Sequence, residues 1–308
     1  EIPLRLVGSE MCIRDRYHQH RSDYQQLLQQ AIDAATKVID SGEYALYEGS
    51  GEESYRYLFI NAGDNSKEGI FDSRYETDIR HHSDACPVYW GWRGTPTRKL
   101  ADMYLCKSTG LPIENANSGF EGYATIKSEY ENRDPRMKYT IVCNEMKWPV
   151  DPVEIWEGGT NGLPLQNATT TGYYLKKYVN NTISFEAGST VTKKQHNWVL
   201  FRYGEILLNY AEAMINAFHD PNYKDAVYNM SAREAVNQIR GRTNISLPGF
   251  PSDITEKDFV KRLKNERRVE LAFEGHRFWD VRRWKELGQT ANIYGVKITK
   301  NNEVISYE

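Results

Sequence analysis

The chain has 308 residues, 40% of them hydrophobic and 26% charged, with a formal net charge of -3. This composition is typical of a globular protein that buries a large core. The slightly acidic balance argues against nucleic acid as a partner, because neutralising phosphates needs a basic surface. No apolar run reaches the length of roughly 20 residues that a membrane-spanning helix needs.

The first residues of the chain differ in character from those that follow. Residues 1–16, EIPLRLVGSEMCIRDR, resemble translated adapter or assembly read-through, and we expect a non-native leader there. A genuine short strand and loop is the alternative interpretation. We therefore base no functional inference on this segment.

Helical spacing of apolar residues becomes clear at Tyr24. From there to Ile39 the apolar side chains fall on one face, which predicts an amphipathic helix that Gly42 ends. Residues 69–75, GIFDSRY, are expected to form a short strand.

A long loop and an irregular insertion interrupt the middle of the chain. Residues 76–97 lack a hydrophobic period, and Pro96 is expected at the first position of a helix that ends near Gly110. The sequence NRDPR then predicts a turn before a strand from Tyr139 to Val142. Residues 144–172 are rich in Pro, Gly, Asn and Thr, which predicts an irregular insertion.

Paired helices are predicted in the second half of the chain. Residues 197–201 lead into the strongest helix, whose apolar face runs from Tyr203 to Phe218. Ser231 and Glu234 predict a capping box at the start of the next helix, which Gly241 ends. The pairing favours a tetratricopeptide-like arrangement, although no fixed repeat period is present.

One long closing helix is predicted over residues 259–287. Thr255 is expected to cap its start and Gly288 to end it. Its aromatic bulk exceeds what one helix face can hide, so we expect several faces to be packed. The helical aromatic residues expected in the core are Tyr203, Tyr210, Phe273, Trp279 and Trp284.

The closing stretch also carries a dense run of both charge signs. Glu266, Glu270 and Glu274 recur every four residues, so their carboxylates share one stripe and repel unless cations lie between them. The cations within the stretch are Arg267, Arg268, Arg277, Arg282 and Arg283. We interpret the set as an architectural arginine–carboxylate lattice and not as a catalytic cluster, because no nucleophile or metal ligand accompanies it.

The stretch ERRVELAFEGHRFWDVRRW closely resembles the C-terminal signature of the SusD/RagB family, the surface glycan- and nutrient-binding lipoproteins of Bacteroidota. Further segments resemble elements of that family in the same order: PTRKLADMY, NRDPRMKYTIV, TGYYLKKYV, RYGEILLNYAEAM and AVNQIRGRTNI. The resemblance implies a mainly α, SusD-like fold with tetratricopeptide-like helix pairs, long irregular loops and a few short strands. Residues 17–308 are then expected to be the C-terminal part of a SusD/RagB-like domain, with the N-terminal part missing.

The resemblance also implies a function. It implies a cell-surface lipoprotein of the outer membrane that binds glycan in polysaccharide utilisation and delivers it to a SusC-type TonB-dependent transporter. We expect the membrane to be contacted only through a lipid anchor upstream of this sequence, because none of the four cysteines is a sensible attachment site. Binding of a non-sugar nutrient such as peptide is the alternative, and a glycoside hydrolase is a third hypothesis.

Aromatic side chains are the candidate ligand-binding residues, because a flat ring can stack on the apolar face of a sugar. The family places such aromatics in the variable loop, which here contains Tyr89, Trp90 and Trp92. Candidate hydrogen-bonding partners in that loop are Arg80, Asp84 and Arg93. Burial of these rings to anchor the loop is the alternative. Trp148 and Trp156 form a second, weaker candidate pair.

Signatures of catalysis are missing from the sequence. It contains no G-x-S-x-G, H-E-x-x-H or phosphate-binding glycine motif. The acidic residues Asp134, Glu145, Asp151, Glu154 and Glu157 could in principle supply a glycosidase pair, but we expect them to be surface carboxylates. We predict no enzyme activity, no cofactor and no metal site.

Overall fold

The structure is a computed structural model that describes residues 22–74, 95–123, 129–148, 151–166, 168–180, 197–302 and 304–308. These residues form two units. The first unit contains residues 22–48, 65–72 and 199–292. The second contains residues 49–64, the described part of 73–198, and 293–308 without residue 303.

The first unit is built from long helices. They are α1 (Tyr24–Asp40), α5 (Tyr203–Phe218), α6 (Ala232–Arg240), α7 (Glu256–Glu270) and α8 (His276–Arg283). Strands β1 (Gly69–Ser73) and β4 (Trp198–Arg202) pair as a two-stranded sheet. Between them these elements hold most of the helical residues of the described chain.

Helix α5 is the centre of the first unit. It packs against α1, α6 and α7, so most of its length is buried. Small side chains at Ala211 on α5 and Ala235 on α6 are fully buried, which lets helices approach closely. Phe250 and Phe259 close the core in an edge-to-face contact with ring centroids 5.8 Å apart.

The second unit combines short helices with short hairpins. Its helices are α2 (Ser54–Tyr57), α3 (Arg98–Met103) and α4 (Arg136–Thr140). Its strands are β2 (Ile141–Val142), β3 (Tyr174–Leu175), β5 (Ile298–Asn301) and β6 (Val304–Tyr307). Antiparallel pairing joins β2 to β3 and β5 to β6.

Several predicted elements are confirmed. The first helix spans Tyr24–Asp40, and Gly42 follows its end with a positive φ of 64°. The strand predicted at GIFDSRY is present as β1. Ser231 and Glu234 form the predicted capping box on α6, with both reciprocal hydrogen bonds in place. The mainly helical class is also as expected, with eight helices in the part of the chain that the structure describes.

The prediction of one closing helix over residues 259–287 is wrong. Thr255 caps the start as expected, but α7 ends at Glu270 and α8 begins at His276. Between them Phe273 has φ 65° and Gly275 has φ 86°, values that no right-handed helix contains. Gly288 does not end a long helix, because it lies in a separate 3-10 turn, Leu287–Thr290.

Two boundaries in the second unit also differ from expectation. Pro96 precedes the N-cap Thr97 instead of opening the helix, and α3 ends at Met103 well before Gly110. Part of the strand expected over residues 139–142 is helical, and only Ile141–Val142 is extended. The cause is local, because the Asp134 carboxylate accepts from the backbone N–H of Arg136 and so holds a helical turn there.

The prediction that Trp279 lies in the core is wrong, because Trp279 lies on the outer face of α8. Trp279 is 39% exposed and Phe278 is 53% exposed, and the two rings pack edge-to-face on each other. Arg282 lies over the Phe278 ring, 3.4 Å from its centroid, and Arg277 donates to Gln289 at the surface. The eight residues of α8 are too few to bury more than one face.

Of the four remaining aromatic predictions, three are confirmed and the one for Phe273 is not. Tyr203, Tyr210 and Trp284 are buried, whereas Phe273 is only partly buried. Within the described ranges, no helix is long and apolar enough to cross a membrane.

Candidate functional site

The first candidate group lies outside the described residues, which exclude residues 75–94. It comprises Tyr89, Trp90, Trp92, Arg80, Asp84 and Arg93. These residues stay a prediction. Of the candidate aromatics, the structure describes Trp148 and Trp156, and both belong to the second unit.

Three segments of the second unit meet at Trp148, and α4 lies beside them. Pairing of β2 with β3 brings Lys176 beside α4, where its backbone N–H donates to Thr140 at 2.9 Å. Helix α4 carries Lys138, and α2 carries Arg56. The backbone N–H of Trp148 donates to the Asp151 carbonyl at 2.9 Å, and the turn that contains this bond positions Trp148.

Two cations lie over the half-buried Trp148 ring. The Arg56 guanidinium carbon is 5.0 Å from the ring centroid, and Lys176 Nζ is 4.9 Å from it. Arg56 also forms an ion pair with the partly exposed Glu53 at 3.4 Å. Lys138 Nζ is 5.0 Å from the neighbouring Tyr139 ring. We call the set of Trp148, Arg56, Lys176 and Lys138 the basic face.

The electrostatics of Lys176 reflect this crowding of positive charge. Burial lowers the pKa of its ammonium to about 8, and the nearby Arg56 charge lowers it further while Glu53 partly opposes the shift. Its Nζ donates to the Met146 thioether at 3.7 Å, which is a weak acceptor. The ammonium therefore lacks a strong anionic partner in this environment.

Trp156 has a different environment and shares no contact with Trp148 among the described residues. Lys300 Nζ lies over its ring, 4.3 Å from the centroid. A Cβ at Gly159 would lie 2.5 Å from the backbone carbonyl oxygen of Glu154 and 3.0 Å from the Trp156 indole nitrogen, so the loop needs glycine there. The structure thus keeps the two tryptophans as separate features, each with a cation on its ring.

Sequence reasoning missed a third cluster, which follows the undescribed loop. Arg98 donates to Asp102 at 3.1 Å and lies 3.4 Å from the Tyr123 ring centroid. The Tyr123 hydroxyl donates to Asp102 at 2.6 Å. The rings of Phe120 and Tyr307 flank Tyr123, with centroids 5.1 and 6.4 Å away. Only the i,i+4 spacing of Arg98 and Asp102 was visible in the sequence.

Glu129 lies beside this cluster and is almost fully buried. Its Oε1 accepts from the Tyr173 hydroxyl at 2.7 Å, but its Oε2 has no hydrogen-bond partner among the described residues. Burial raises the pKa of the carboxyl group to about 7, against the lowering effects of Tyr173 and Arg98. Glu129 is therefore largely protonated below neutral pH.

The carboxylate stripe of the closing stretch meets arginines from elsewhere in the first unit. Glu266 accepts from Arg240 at 2.7 Å. Glu270 accepts from Arg202 at 2.8 Å, and Glu274 accepts from the same guanidinium at 2.7 Å. These cations lie on β4 and α6, so the stripe joins α7 to other elements.

Two arginines of the closing stretch pair with buried carboxylates. Arg267 donates to Asp280 at 3.0 Å, and Arg283 donates to the same carboxylate at 3.0 Å. Arg283 also pairs with Glu212 on α5. Arg268 is only half-buried. The geometry is that of charged groups that hold helices together.

The acidic residues considered for glycosidase chemistry lie in different surroundings. Asp134 is buried, contrary to the expected surface position, and pairs with Arg136 at 2.7 Å. Glu154 accepts from the Thr160 N–H, and Glu157 pairs with Lys297 at the surface. Among the described residues, no group of three or more His, Cys, Asp or Glu side chains could hold a metal ion.

Comparison with known proteins identifies the family. A SusD-like protein of Formosa agariphila is 36% identical over 91 residues, which are 28% of this chain and 16% of that protein. A solved SusD-like protein of Bacteroides fragilis has a TM-score of 0.67 and 25% identity, covering 90% of this chain and 56% of its own. A SusD-like carbohydrate binding protein of the same species has a TM-score of 0.68 and 19% identity, covering 96% and 60%.

This chain therefore spans little more than half the length of these solved relatives. The model of the SusD family matches residues 57–305, which is most of the sequence. The chain belongs to the SusD family.

Proposed function

We propose that this protein binds glycan at the bacterial cell surface and delivers it to a SusC-type TonB-dependent transporter in the outer membrane. The observation that carries the proposal is the family match over residues 57–305. One solved relative of the same fold is itself described as a carbohydrate binding protein, which supports the same ligand class here. The protein would be held at the membrane by a lipid anchor.

The energetics of sugar binding require several aromatic platforms. Stacking that buries roughly 100 Å² of apolar area contributes about 2 to 3 kcal/mol before ordering costs. Millimolar affinity already requires about 4 kcal/mol. Two or three rings are therefore needed, and the variable loop supplies that number in Tyr89, Trp90 and Trp92.

The surroundings of Trp148 and Trp156 favour other residues as the stacking platforms for sugar. Trp148 and Trp156 each have a cation over the ring, which occupies a face that a sugar would stack on. We therefore assign stacking to the loop residues, with Arg80, Asp84 and Arg93 as hydrogen-bonding partners of the sugar hydroxyls.

Replacing Trp90 or Trp92 by alanine tests this assignment. We expect each variant to lose retention in polysaccharide-containing native gels while its melting temperature stays within a few degrees of the parent. The physical reason is that a lost stacking surface weakens binding without removing core packing.

The matched control is Trp279→Ala, which removes an exposed tryptophan on α8. It should retain the parent's mobility on every glycan. Unchanged retention of the loop variants on all glycans bound by the parent would refute the site. Calorimetry that detects peptides but no glycans would refute the proposed ligand class.

A further inference from the structure

The basic face contains an ammonium that no carboxylate neutralises. Within the described ranges, Lys176 Nζ has no carboxylate at salt-bridge distance, and the Met146 thioether is its hydrogen-bond acceptor. The side chain is half-buried, so water solvates it only in part. A half-buried charge without an anionic partner is costly to maintain.

Other positive charges surround this ammonium. The charges of Arg56 and Lys176 lie over the same indole ring and so within about 10 Å of each other, close to the Debye length. Lys138 is near enough to add to the repulsion. Glu53 is the carboxylate paired with Arg56, and its side chain is 43% exposed. Glu52 is a second carboxylate nearby, since its charge acts on the neighbouring Tyr139. The three cations Arg56, Lys176 and Lys138 still outnumber these two carboxylates among the described residues, although the chain as a whole has a net charge of -3.

The indole of Trp148 explains how these cations are held together. An aromatic ring attracts cations through its negative face, and this fixes both groups beside one flat surface. An oxyanion presented to this surface would accept hydrogen bonds from an ammonium and would relieve the repulsion between the cations. A neutral sugar would accept hydrogen bonds through its hydroxyl oxygens but would leave the repulsion in place.

We propose that the basic face binds the carboxylate or sulfate of an acidic saccharide, with Lys176 as the principal contact and Lys138 as a second contact. The proposal rests on glycan being the ligand class. It adds that the glycan is charged, and that its charge is recognised by residues separate from the stacking loop. Carboxylate and sulfate share the oxyanion chemistry, and the experiment distinguishes them.

The test compares charged and neutral forms of the same polymer by calorimetry. The probes are polygalacturonate with its methyl-esterified form, and dextran sulfate with unmodified dextran. We expect the parent protein to bind at least one charged polymer about tenfold more tightly than its neutral form at low salt. We expect Lys176→Gln and Lys138→Gln each to reduce that preference. The polygalacturonate and dextran sulfate arms separate a carboxylate site from a sulfate site.

The matched control is Lys300→Gln, which removes the same charge from above the other tryptophan, Trp156. It should keep the full preference, and this excludes a general effect of net charge. Lys138→Gln keeps the test decisive if Lys176→Gln does not fold, as judged by circular dichroism.

Three results would overturn the acidic-saccharide site. They are equal affinity for charged and neutral forms, unchanged affinity in both lysine variants, and no binding to either charged polymer at low salt. The proposed function fails separately, when no polysaccharide of any class retains the protein.

Discussion

Partners, more than burial, decide the charge of individual carboxylates in this protein. Glu205 and Glu212 both lie on α5 and are both largely buried. Burial raises the pKa of Glu205 to about 7, against the lowering effects of the Arg267 charge and of the hydrogen bond from Asn209. Burial also acts on Glu212, but the Arg283 guanidinium overrides it and lowers the pKa to about 2. One helix therefore carries one carboxyl group with a raised pKa and one with a lowered pKa.

Glu270→Ala is expected to destabilise the first unit by about 3 kcal/mol without changing ligand preference. Glu270 is fully buried and accepts from Arg202 and Arg242 at 2.8 and 3.4 Å. Its loss removes one buried carboxylate that balances two buried guanidinium groups, although Glu68 still pairs with both arginines and Glu274 with Arg202. The urea midpoint of unfolding measures the effect.

Glu286→Ala is the control for this prediction. Its ion pair with Lys264 is partly exposed, so its removal should cost no more than about 1 kcal/mol. A Glu270→Ala variant with parental stability but lost glycan retention would contradict the scaffold role of this carboxylate.

Glu129→Gln is expected to make stability less sensitive to pH. The folded pKa of Glu129 is raised from 4.5 to about 7, so its contribution is fully present below pH 4.5 and is lost as the pH rises through 7. The glutamine variant cannot lose a proton but can still accept from Tyr173. Its stability should match the parent near pH 4.5 and exceed it by about 3 kcal/mol above pH 8.

Urea unfolding at a series of pH values measures this difference. Glu157→Gln serves as the control, because it makes the same replacement at a side chain that is 57% exposed. A parent and a Glu129→Gln variant that respond identically to pH would show that the buried acid is not protonated.

At the scale of elements, the break between α7 and α8 determines which side chains of the family signature meet. Residues 271–275 turn the chain, so that Asp280 on α8 meets Arg267 on α7. A continuous helix would place these two side chains 13 residues apart along its axis. The turn therefore allows the signature to fold back on itself as a buried charge network.

Gly275→Ala tests the turn. Its φ of 86° is strained for any residue with a Cβ, while no atom lies within 4 Å of the added carbon. The cost is therefore conformational and should be about 1 to 2 kcal/mol. Thermal unfolding of the purified variant would measure it.

Gly288→Ala is the matched control, since it also has open space around the Cβ but no positive φ. It should change stability by about 0.5 kcal/mol or less. Equal effects of the two substitutions would contradict a special role for the backbone at residue 275.

At the scale of the whole molecule, the described charges serve two purposes. Some pairs are buried, as in Arg202 with Glu270 of the first unit, whose side chains are 1% and 0% exposed, and in Arg136 with Asp134 of the second unit. The second unit also presents Lys176 at the half-buried basic face, where no carboxylate lies at salt-bridge distance from its ammonium among the described residues. Stability and ligand charge recognition are thereby assigned to different residues.

Charges that stabilise the fold and charges that bind ligand are expected to respond differently to salt. Raising NaCl from about 0.05 to 0.5 M should shift the melting temperature by only a few degrees, because buried pairs are poorly screened. Binding of an acidic polysaccharide should weaken over the same range. A melting temperature that falls by more than about 10 degrees would show that solvent reaches the ion pairs.

The sequence by itself determined those features that depend on local spacing. The period of α1, the apolar face of α5 and the capping box of Ser231 and Glu234 are set by residues three or four positions apart. The family signature was also readable, because its motifs are contiguous runs of residues.

Only the tertiary structure decided which charges meet. Arg202 and Glu270 are 68 positions apart, and no local period links them. The turn at Phe273 depends on a positive φ that a non-glycine residue seldom adopts, so helical spacing suggested a continuous helix. The cations over Trp148 likewise come from α2 and from the end of β3, and only the tertiary structure brings both of them to this indole.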